Sequence, residues 1–471
     1  MAAVKLPGEL VLVTNREPYS HERTSKGIIC RKGVGGVVSA LDSTMRKTGG
    51  TWVAWGSNKA DFENGDVVKV PCSSPCYTLK RVKLSEKERE FYYRGFSNRT
   101  LWPVFHLFTE KAIFNTQFWK MYVKANTKFA KAVMDVVTDD SFVWVHDYHL
   151  SLVPSMIQNT AHKIAFFWHI PWVSWNTFSK IPWRDEIFNG LLGSDLIGFH
   201  TRYYAQNFLE CAEQLGFQVN KKQSIVHHGD RDVKIGVFPV GIDYQQFTSV
   251  KNRSHTLRSK IKGEKIIFGI DRLDYTKGIL ERMLAFKQFI EKNPQWKGKI
   301  TLVQVATPSR TKVEEYRTMK HELDESVGCI NGEYSTVDWT PIKYFYQPVS
   351  FNNLVKYYKM ADVVLVTPIM DGMNLVVKEY IAAKDTGVVI LSEFAGAAEE
   401  LKEAIIVNPY DINAIAEGIK EAVEMPEDEK KKRFMALKRR VRQKDVNWWM
   451  EKFFSEWQKL YTPAHPELGS A

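Results

Sequence analysis

The chain has 471 residues, 44% of them hydrophobic and 25% charged, the proportions of a globular protein rather than of a disordered or fibrous one. Its 14 Trp, 27 Phe and 19 Tyr supply apolar area for more than one core, and a chain of this length holds roughly two to four domains. The formal charge of +11 favours anionic partners (nucleic acid, anionic lipid or phosphorylated small molecules) without choosing among them.

In chain order, short β-rich runs fall at residues 10–13, 51–55, 143–145, 164–167, 196–199 and 233–238. A second series follows at 266–270, 300–305, 363–366, 388–391 and 405–407. Many are continuously apolar, as strands buried on both faces are. Helix-length segments lie between them, for example 119–137, 279–291 and 376–384. Repeated β–α alternation predicts an α/β protein with open, mostly parallel sheets and right-handed crossovers. The series breaks near Pro239–Gly241 and restarts at Lys265 after a polar stretch. The expected domains are therefore 1–242, 243–445 and a C-terminal helix at 446–471 that packs across both. That helix carries Trp448, Trp449, Phe453, Phe454 and Trp457, too many aromatics for a solvated surface.

No apolar run reaches the roughly 18 residues a membrane span needs, and the N-terminus lacks a long apolar leader core. A cytoplasmic protein with five reduced cysteines is the expectation. Cys72 and Cys76 form C-x3-C with no second pair, so no metal is expected there. The run KKKRFMALKRRVR from Lys430 keeps Phe434, Met435, Leu437 and Val441 at near-helical spacing. It reads as a solvated helix face in preference to a nucleic-acid patch.

Ligands of open α/β sheets bind at the carboxyl ends of strands. Two facing sheets would place those ends on opposite walls of one cleft, so the polar residues just after each strand become candidates. Asn15-Arg16 follows the first strand, and Gly33-Val34-Gly35-Gly36 precedes a helix from Val37. This turn lets backbone N–H groups approach an anion, though it matches no dinucleotide or Walker fingerprint. His146-Asp147-Tyr148-His149 and His169-Ile170-Pro171-Trp172 follow two further strands, the pattern of a shared polar pocket. In Ile270–Ile279, Arg272 and Lys277 flank a strand-to-helix turn, where cations oppose the helix dipole unless an anion is present. In Asp371-Gly372-Met373-Asn374-Leu375-Val376-Val377-Lys378-Glu379, Asp and Asn suit sugar hydroxyls. The N–H groups of the opening helix suit phosphate oxygens, and Glu379 suits a ribose diol.

Together these stretches, with Tyr93-x-x-Phe96-Ser97-Asn98-x-x-Leu101-Trp102-Pro103 and Pro308-Ser309-Arg310, resemble the trehalose-6-phosphate synthase family of retaining glycosyltransferases. The resemblance implies the GT-B fold, two Rossmann-like domains facing across a cleft. It implies a UDP-glucose-like donor held by Gly36, His169, Arg272, Lys277, Asp371, Gly372, Met373, Asn374, Leu375, Val376 and Glu379. It implies a glucose 6-phosphate acceptor held by Arg16, Tyr93, Trp102, Asp147 and Arg310. Asp147, His169, Arg272, Lys277 and Asp371 would be the catalytic residues, with no cofactor and no metal. Partners would be the two substrates, with neither nucleic acid nor membrane; a homo-oligomer stays open.

Trp172-Val173-Ser174-Trp175 departs from the family's usual continuation of H-I-P. Arg16-Glu17-Pro18-Tyr19 and Ile181-Pro182-Trp183-Arg184 resemble the related glucosylglycerol-phosphate synthases. Glycerol 3-phosphate therefore remains an alternative acceptor, and a non-catalytic sugar-phosphate sensor a second alternative. UDP, ADP and GDP are not distinguished.

Overall fold

The computed structural model describes residues 6, 8–25, 27–33, 35–63, 65–158, 162–250, 258, 259, 261, 263–311 and 313–461. Val34 of the glycine turn, much of the polar connection at 251–262 and the 462–471 tail lie outside the described residues. The chain divides into two compact units, one running to Val240 and resuming at Val446, the other spanning Gly241–Asp445.

The first unit carries β1 (Leu10–Arg16), β2 (Tyr19–Thr24), β3 (Gly27–Lys32), β4 (Thr51–Trp55), β5 (Val67–Val70), β6 (Tyr77–Val82), β7 (Phe142–His146), β8 (Lys163–Phe167), β9 (Leu196–Phe199), β10 (Gln218–Asn220), β11 (Ile225–His228) and β12 (Arg231–Val237). Ten of them form one sheet in the order β10-β11-β12-β9-β8-β7-β1-β4-β6-β5, and β2 and β3 pair separately as a hairpin. The strands from β12 to β6 along this order run parallel. All five residues of β7 are buried, as are the first six of β1, which is why these runs read as continuously apolar.

Helix α1 (Gly36–Thr48) follows the hairpin. A π-wound stretch, Arg89–Leu101, carries Tyr93 and ends at Trp102, whose N–H bonds the Ser97 carbonyl; such wide turns recur at functional sites. Helix α2 (Thr116–Met134) starts at Asn115, whose side chain accepts from two of its first free N–H groups.

The second unit holds β13 (Lys265–Arg272), β14 (Ile300–Thr307), β15 (Ile342–Tyr346), β16 (Val363–Val366), β17 (Val388–Ser392) and β18 (Ile405–Val407). They form one parallel sheet in the order β15-β14-β13-β16-β17-β18. Its helices include α3 (Ile279–Lys292), α4 (Phe351–Met360), α5 (Leu375–Ala383) and α6 (Glu427–Gln443). In α6, Phe434, Leu437 and Val441 are buried. Arg433, Lys438 and Arg440 pair with Glu429, Asp385 and Glu403, and Lys431, Lys432, Arg439 and Arg442 are exposed, so the basic run is a helix face packed on its apolar side and partly ion-paired on the other.

The last helix, α7 (Val446–Lys459), returns to the first unit. Trp449, Phe453, Phe454 and Trp457 are fully buried. Phe453 stacks on Trp144 of β7, Trp449 meets Phe167 of β8, and Phe453 meets Phe238 just after β12. A Cβ on Gly198 of β9 would stand 2.9 Å from the Phe453 ring, so the sheet is shaped to receive this helix.

The cysteines correct one expectation. Cys30 and Cys72 form a disulfide, while Cys76, Cys211 and Cys329 are free. The β2–β3 hairpin carries Cys30 to the turn at Cys72, a pairing 42 residues apart that local spacing does not reveal. His21 lies beside them, and these three are the one group among the described residues that could hold a metal ion. Two features oppose a metal there: the disulfide occupies both sulfurs, and Arg81 lies 2.7 Å from His21 Nδ1. That bond makes Nδ1 the acceptor, so Nε2 keeps its proton and has no lone pair for a metal.

Candidate functional site

Strand order reverses once in each sheet, between β1 and β7 in the first unit and between β13 and β16 in the second. Adjacent connections diverge at such a point and leave a crevice at the carboxyl ends of the strands. The candidates from the sequence cluster at these two points.

In the first unit, Arg16 is the exposed last residue of β1. Its guanidinium lies 4.9 Å from the Trp55 ring centroid and 4.8 Å from that of Tyr93. Tyr93 stacks in turn on His149 at 5.8 Å. Trp55 was not foreseen as a site residue. It ends β4 and is the register partner of Arg16, a relation only the strand pairing supplies. The two rings also meet each other edge-on at 5.6 Å, so both lie on one side of the guanidinium, steady it there and leave its other side for an oxyanion.

Behind Arg16, Glu17 is buried. It accepts from the Ser57 N–H and from Arg81 Nε, the latter at 2.8 Å. Burial pushes its carboxyl up to about 7, against the lowering by Ser57 and Arg81.

Asp147 follows β7 with φ 73°, a conformation that costs a non-glycine residue free energy. Its Oδ1 accepts from the Tyr148 and His169 backbone N–H groups at 3.0 and 3.3 Å. That ties the end of β7 to the end of β8. His169 Nε2 lies 2.8 Å from His146 Nδ1. Burial holds both rings well below the usual imidazole range, and each neighbouring ring adds to it, His169 for His146 and His200 for His169. That shift favours the uncharged form of each ring, in which one nitrogen of the pair donates to the other across that bond. Trp102 is buried, with His106 Nδ1 2.8 Å from its carbonyl oxygen.

Of the residues that follow H-I-P, Trp172 sits elsewhere. Trp172 is fully buried among Phe105, Phe178 and Phe208. It belongs to the core.

In the second unit, β13 ends at Arg272, which is exposed. Asp274 opens the following turn and caps it by accepting from Thr276 N–H. Gly278 then takes a left-handed conformation, φ 62°, and a Cβ there would come within 2.1 Å of the Thr367 carbonyl. Only glycine lets this turn lie against the end of β16. The turn delivers Lys277, whose Nζ donates to Asp371 Oδ2 at 2.7 Å. Asn374 Nδ2 donates to the same oxygen at 3.1 Å. Asn374, at φ 70°, directly precedes α5, whose first N–H groups have no intrahelical acceptors.

Arg310, also at positive φ, donates to Asp274 Oδ2 at 3.0 Å. Burial alone pushes the Asp274 carboxyl up, but Arg310, Arg272 and Lys277 more than reverse it and hold it below the ordinary range. One carboxylate thus organises three cations. Glu379, in the second turn of α5, accepts from the Tyr358 hydroxyl at 2.7 Å. Burial pushes its carboxyl up to about 7, offset only by that bond.

The structure thus gathers Arg16, Tyr93, Asp147 and His169 at the first switch point and Arg272, Lys277, Arg310, Asp371, Asn374 and Glu379 at the second. Gly36 opens α1 just after Gly35, whose φ is 146°. Gly372 and Met373 are buried between Asp371 and Asn374, while Leu375 and Val376 form the first turn of α5. Among the described residues, no helix is long and apolar enough to cross a membrane.

The Glycosyltransferase family 20 model matches residues 8–459. A bifunctional trehalose-6-phosphate synthase/phosphatase of Thermoproteus tenax is 41% identical over 461 residues, which cover 93% of this chain. The match spans 62% of that relative's length. A UDP-forming α,α-trehalose-phosphate synthase of Candida albicans is 38% identical over 96% of this chain and 98% of its own length. Among solved structures, a UDP-forming α,α-trehalose-phosphate synthase of Burkholderia xenovorans in complex with glucose-6-phosphate superposes with a TM-score of 0.87. It is 29% identical and covers 96% of this chain and 100% of that one.

Proposed function

Because the chain belongs to glycosyltransferase family 20, we propose that it transfers glucose from UDP-glucose to glucose 6-phosphate. The products are α,α-trehalose 6-phosphate and UDP, with the anomeric configuration retained. The observation that carries the reading is the Lys277–Asp371 bond at the second switch point. It sets a cation and a sugar-binding carboxylate beside the free N–H groups of a helix start, with Arg272 and Arg310 in the same charged group.

Each residue's part follows from its chemistry. Arg272, Lys277 and the N–H groups of Leu375 and Val376 hold the donor diphosphate. They stabilise the charge that builds on the leaving phosphate as the glycosidic bond breaks. Gly36 gives the diphosphate a second backbone approach. Asp371, Gly372, Met373, Asn374 and His169 hold the glucose, and Glu379 the ribose. Arg16, with Trp55 and Tyr93 beside it, and Arg310 are assigned to the acceptor phosphate, and Trp102 and Asp147 to the acceptor sugar.

The acceptor hydroxyl attacks from the face the leaving group departs, and a departing phosphate oxygen takes its proton. Asp371 positions the sugar. Its Oδ2 already accepts from Lys277 and Asn374, which lowers its nucleophilicity and argues against a covalent ester.

The test is a matrix of UDP-, ADP- and GDP-glucose against glucose 6-phosphate and glycerol 3-phosphate. Nucleotide release and product configuration are followed by NMR. The expected maximum is UDP-glucose with glucose 6-phosphate and an α,α-linked product. Preference for glycerol 3-phosphate would replace the acceptor, and donor binding without acceptor-dependent turnover would replace the enzyme with a sensor. A glucosyl ester trapped on Asp371 would overturn the front-face path.

A further inference from the structure

Tyr358 lies on α4, fully buried. Its ring is wedged edge-on between Phe268 and Tyr380, with centroids at 5.7 and 6.2 Å. Its hydroxyl donates to Glu379 Oε2. The other carboxylate oxygen, Oε1, has no protein partner among the described residues, and Glu379 is only half-buried, so one edge of this carboxylate stays open. Among the described residues no cation pairs with it either, unlike Asp371 and Asp274.

A buried phenol needs an acceptor but not a carboxylate. Its neighbour Tyr380 is satisfied at 3.2 Å by the Asp362 backbone carbonyl, which brings no charge into the core. Pairing Tyr358 with an uncompensated carboxylate, pushed up to about 7, costs stability that a neutral acceptor would save. Costly ionisable groups of this kind concentrate at functional sites. The geometry also gives the phenol a task. Anchoring Oε2 removes the carboxylate's rotational freedom and fixes the direction in which the lone pairs of Oε1 point.

Building on the donor-site reading above, we propose that Tyr358 is a positioning residue for nucleoside recognition. Its hydroxyl orients Glu379 so that Oε1 accepts from the vicinal hydroxyls of the ribose, which selects ribonucleoside over 2′-deoxyribonucleoside diphosphate sugars. Tyr358 touches no substrate and acts only through the carboxylate.

The test uses the full-length enzyme with UDP-glucose and 2′-deoxy-UDP-glucose, comparing wild type, Tyr358→Phe and Glu379→Gln from pH 6 to 9. A hydroxyl bonded to a charged acceptor sets an expected wild-type preference for the ribo donor of about tenfold or more in kcat/KM. In Tyr358→Phe the donor KM rises several-fold, kcat changes little, and the preference shrinks. Because the phenol's bond favours the ionised carboxylate, the pH below which donor KM rises also moves up. A purely structural role would lower Tm and leave both the preference and the pH midpoint where they are, and that result overturns the proposal.

The two readings fail separately. If Glu379→Gln leaves the preference intact, Glu379 is not at the ribose and the donor site is misplaced. If Glu379→Gln abolishes it and Tyr358→Phe does not, only the role of Tyr358 falls. Should Tyr358→Phe fail to accumulate, 3-fluorotyrosine at position 358 supplies a stronger donor. It should move the pH midpoint down, and an unmoved midpoint overturns the proposal equally.

Discussion

On the function proposed above, the two units solve the same task, holding a phosphorylated sugar at the end of a parallel sheet, with different materials. In the first, the Arg16 guanidinium lies against two aromatic rings, and the buried imidazoles of His146 and His169 pair with each other rather than with a carboxylate. In the second, cations sit against carboxylates, Lys277 on Asp371 and Arg310 on Asp274. A ring-held guanidinium keeps its full charge for an incoming anion. A cation already paired with a carboxylate is shared between it and the anion, and that sharing couples phosphate binding to the placement of Asp371. The second arrangement suits a leaving group whose charge grows during reaction, and the first suits a phosphate whose charge stays constant.

The comparison can be broken where its aromatic half is densest. Phe453→Ala removes a fully buried ring that packs on Trp144 and Phe238, and should cost the first unit about 3–5 kcal/mol. Chemical denaturation followed by limited proteolysis should show the first unit unfolding earlier while the second keeps its midpoint. A shift of both midpoints together would mean that the units do not unfold separately.

Arg272→Ala should lower kcat/KM roughly a hundredfold or more, about 3 kcal/mol of transition-state stabilisation, read by steady-state kinetics. Nearly unchanged turnover would move the phosphate site away from β13. Arg16→Lys keeps the charge but loses the planar fork and its stacking, so acceptor KM should rise about tenfold with donor KM unchanged. Equal effects on both substrates would end the division of labour between the units.

The smallest effect is in stability against pH. Burial raises Glu379 from 4.5 to about 7. The folded chain therefore binds more protons than the unfolded one across that window, and this group's contribution to stability falls as pH rises through it. Glu379→Gln should raise the second unit's Tm slightly at pH 8, by the equivalent of about 1 kcal/mol for a half-exposed group, and leave it unchanged near pH 4. A Tm gain equal at both values would remove burial as the cause.

Every continuously apolar run predicted as a strand is a strand, because sheets covered on both faces write their burial directly into composition. The β2–β3 hairpin, with sequences YSHERT and GIICRK, was illegible because its exposed faces carry charge. β15, IKYFY, is only partly buried and gave no clear period. The candidate residues that follow strands do lie at the strands' carboxyl ends, where the general rule for such sheets puts a ligand. Trp55 and Tyr358 were not: one acts through a cross-strand register and the other through a contact between two helices, and neither relation is local in the chain. The Cys30–Cys72 bond escaped for the same reason.

The polypeptide leaves the first unit at Val240 and re-enters it at Val446, so one unit is spliced into the other. During synthesis on a ribosome, the aromatic rings of β7 and β8 await Trp449, Phe453 and Trp457 until the whole of the second unit, Gly241–Asp445, has emerged. The second unit can finish folding first, although its coding sequence comes later. A stop codon near Lys444 would therefore leave the second unit whole and strip the cover from strands made three hundred residues earlier.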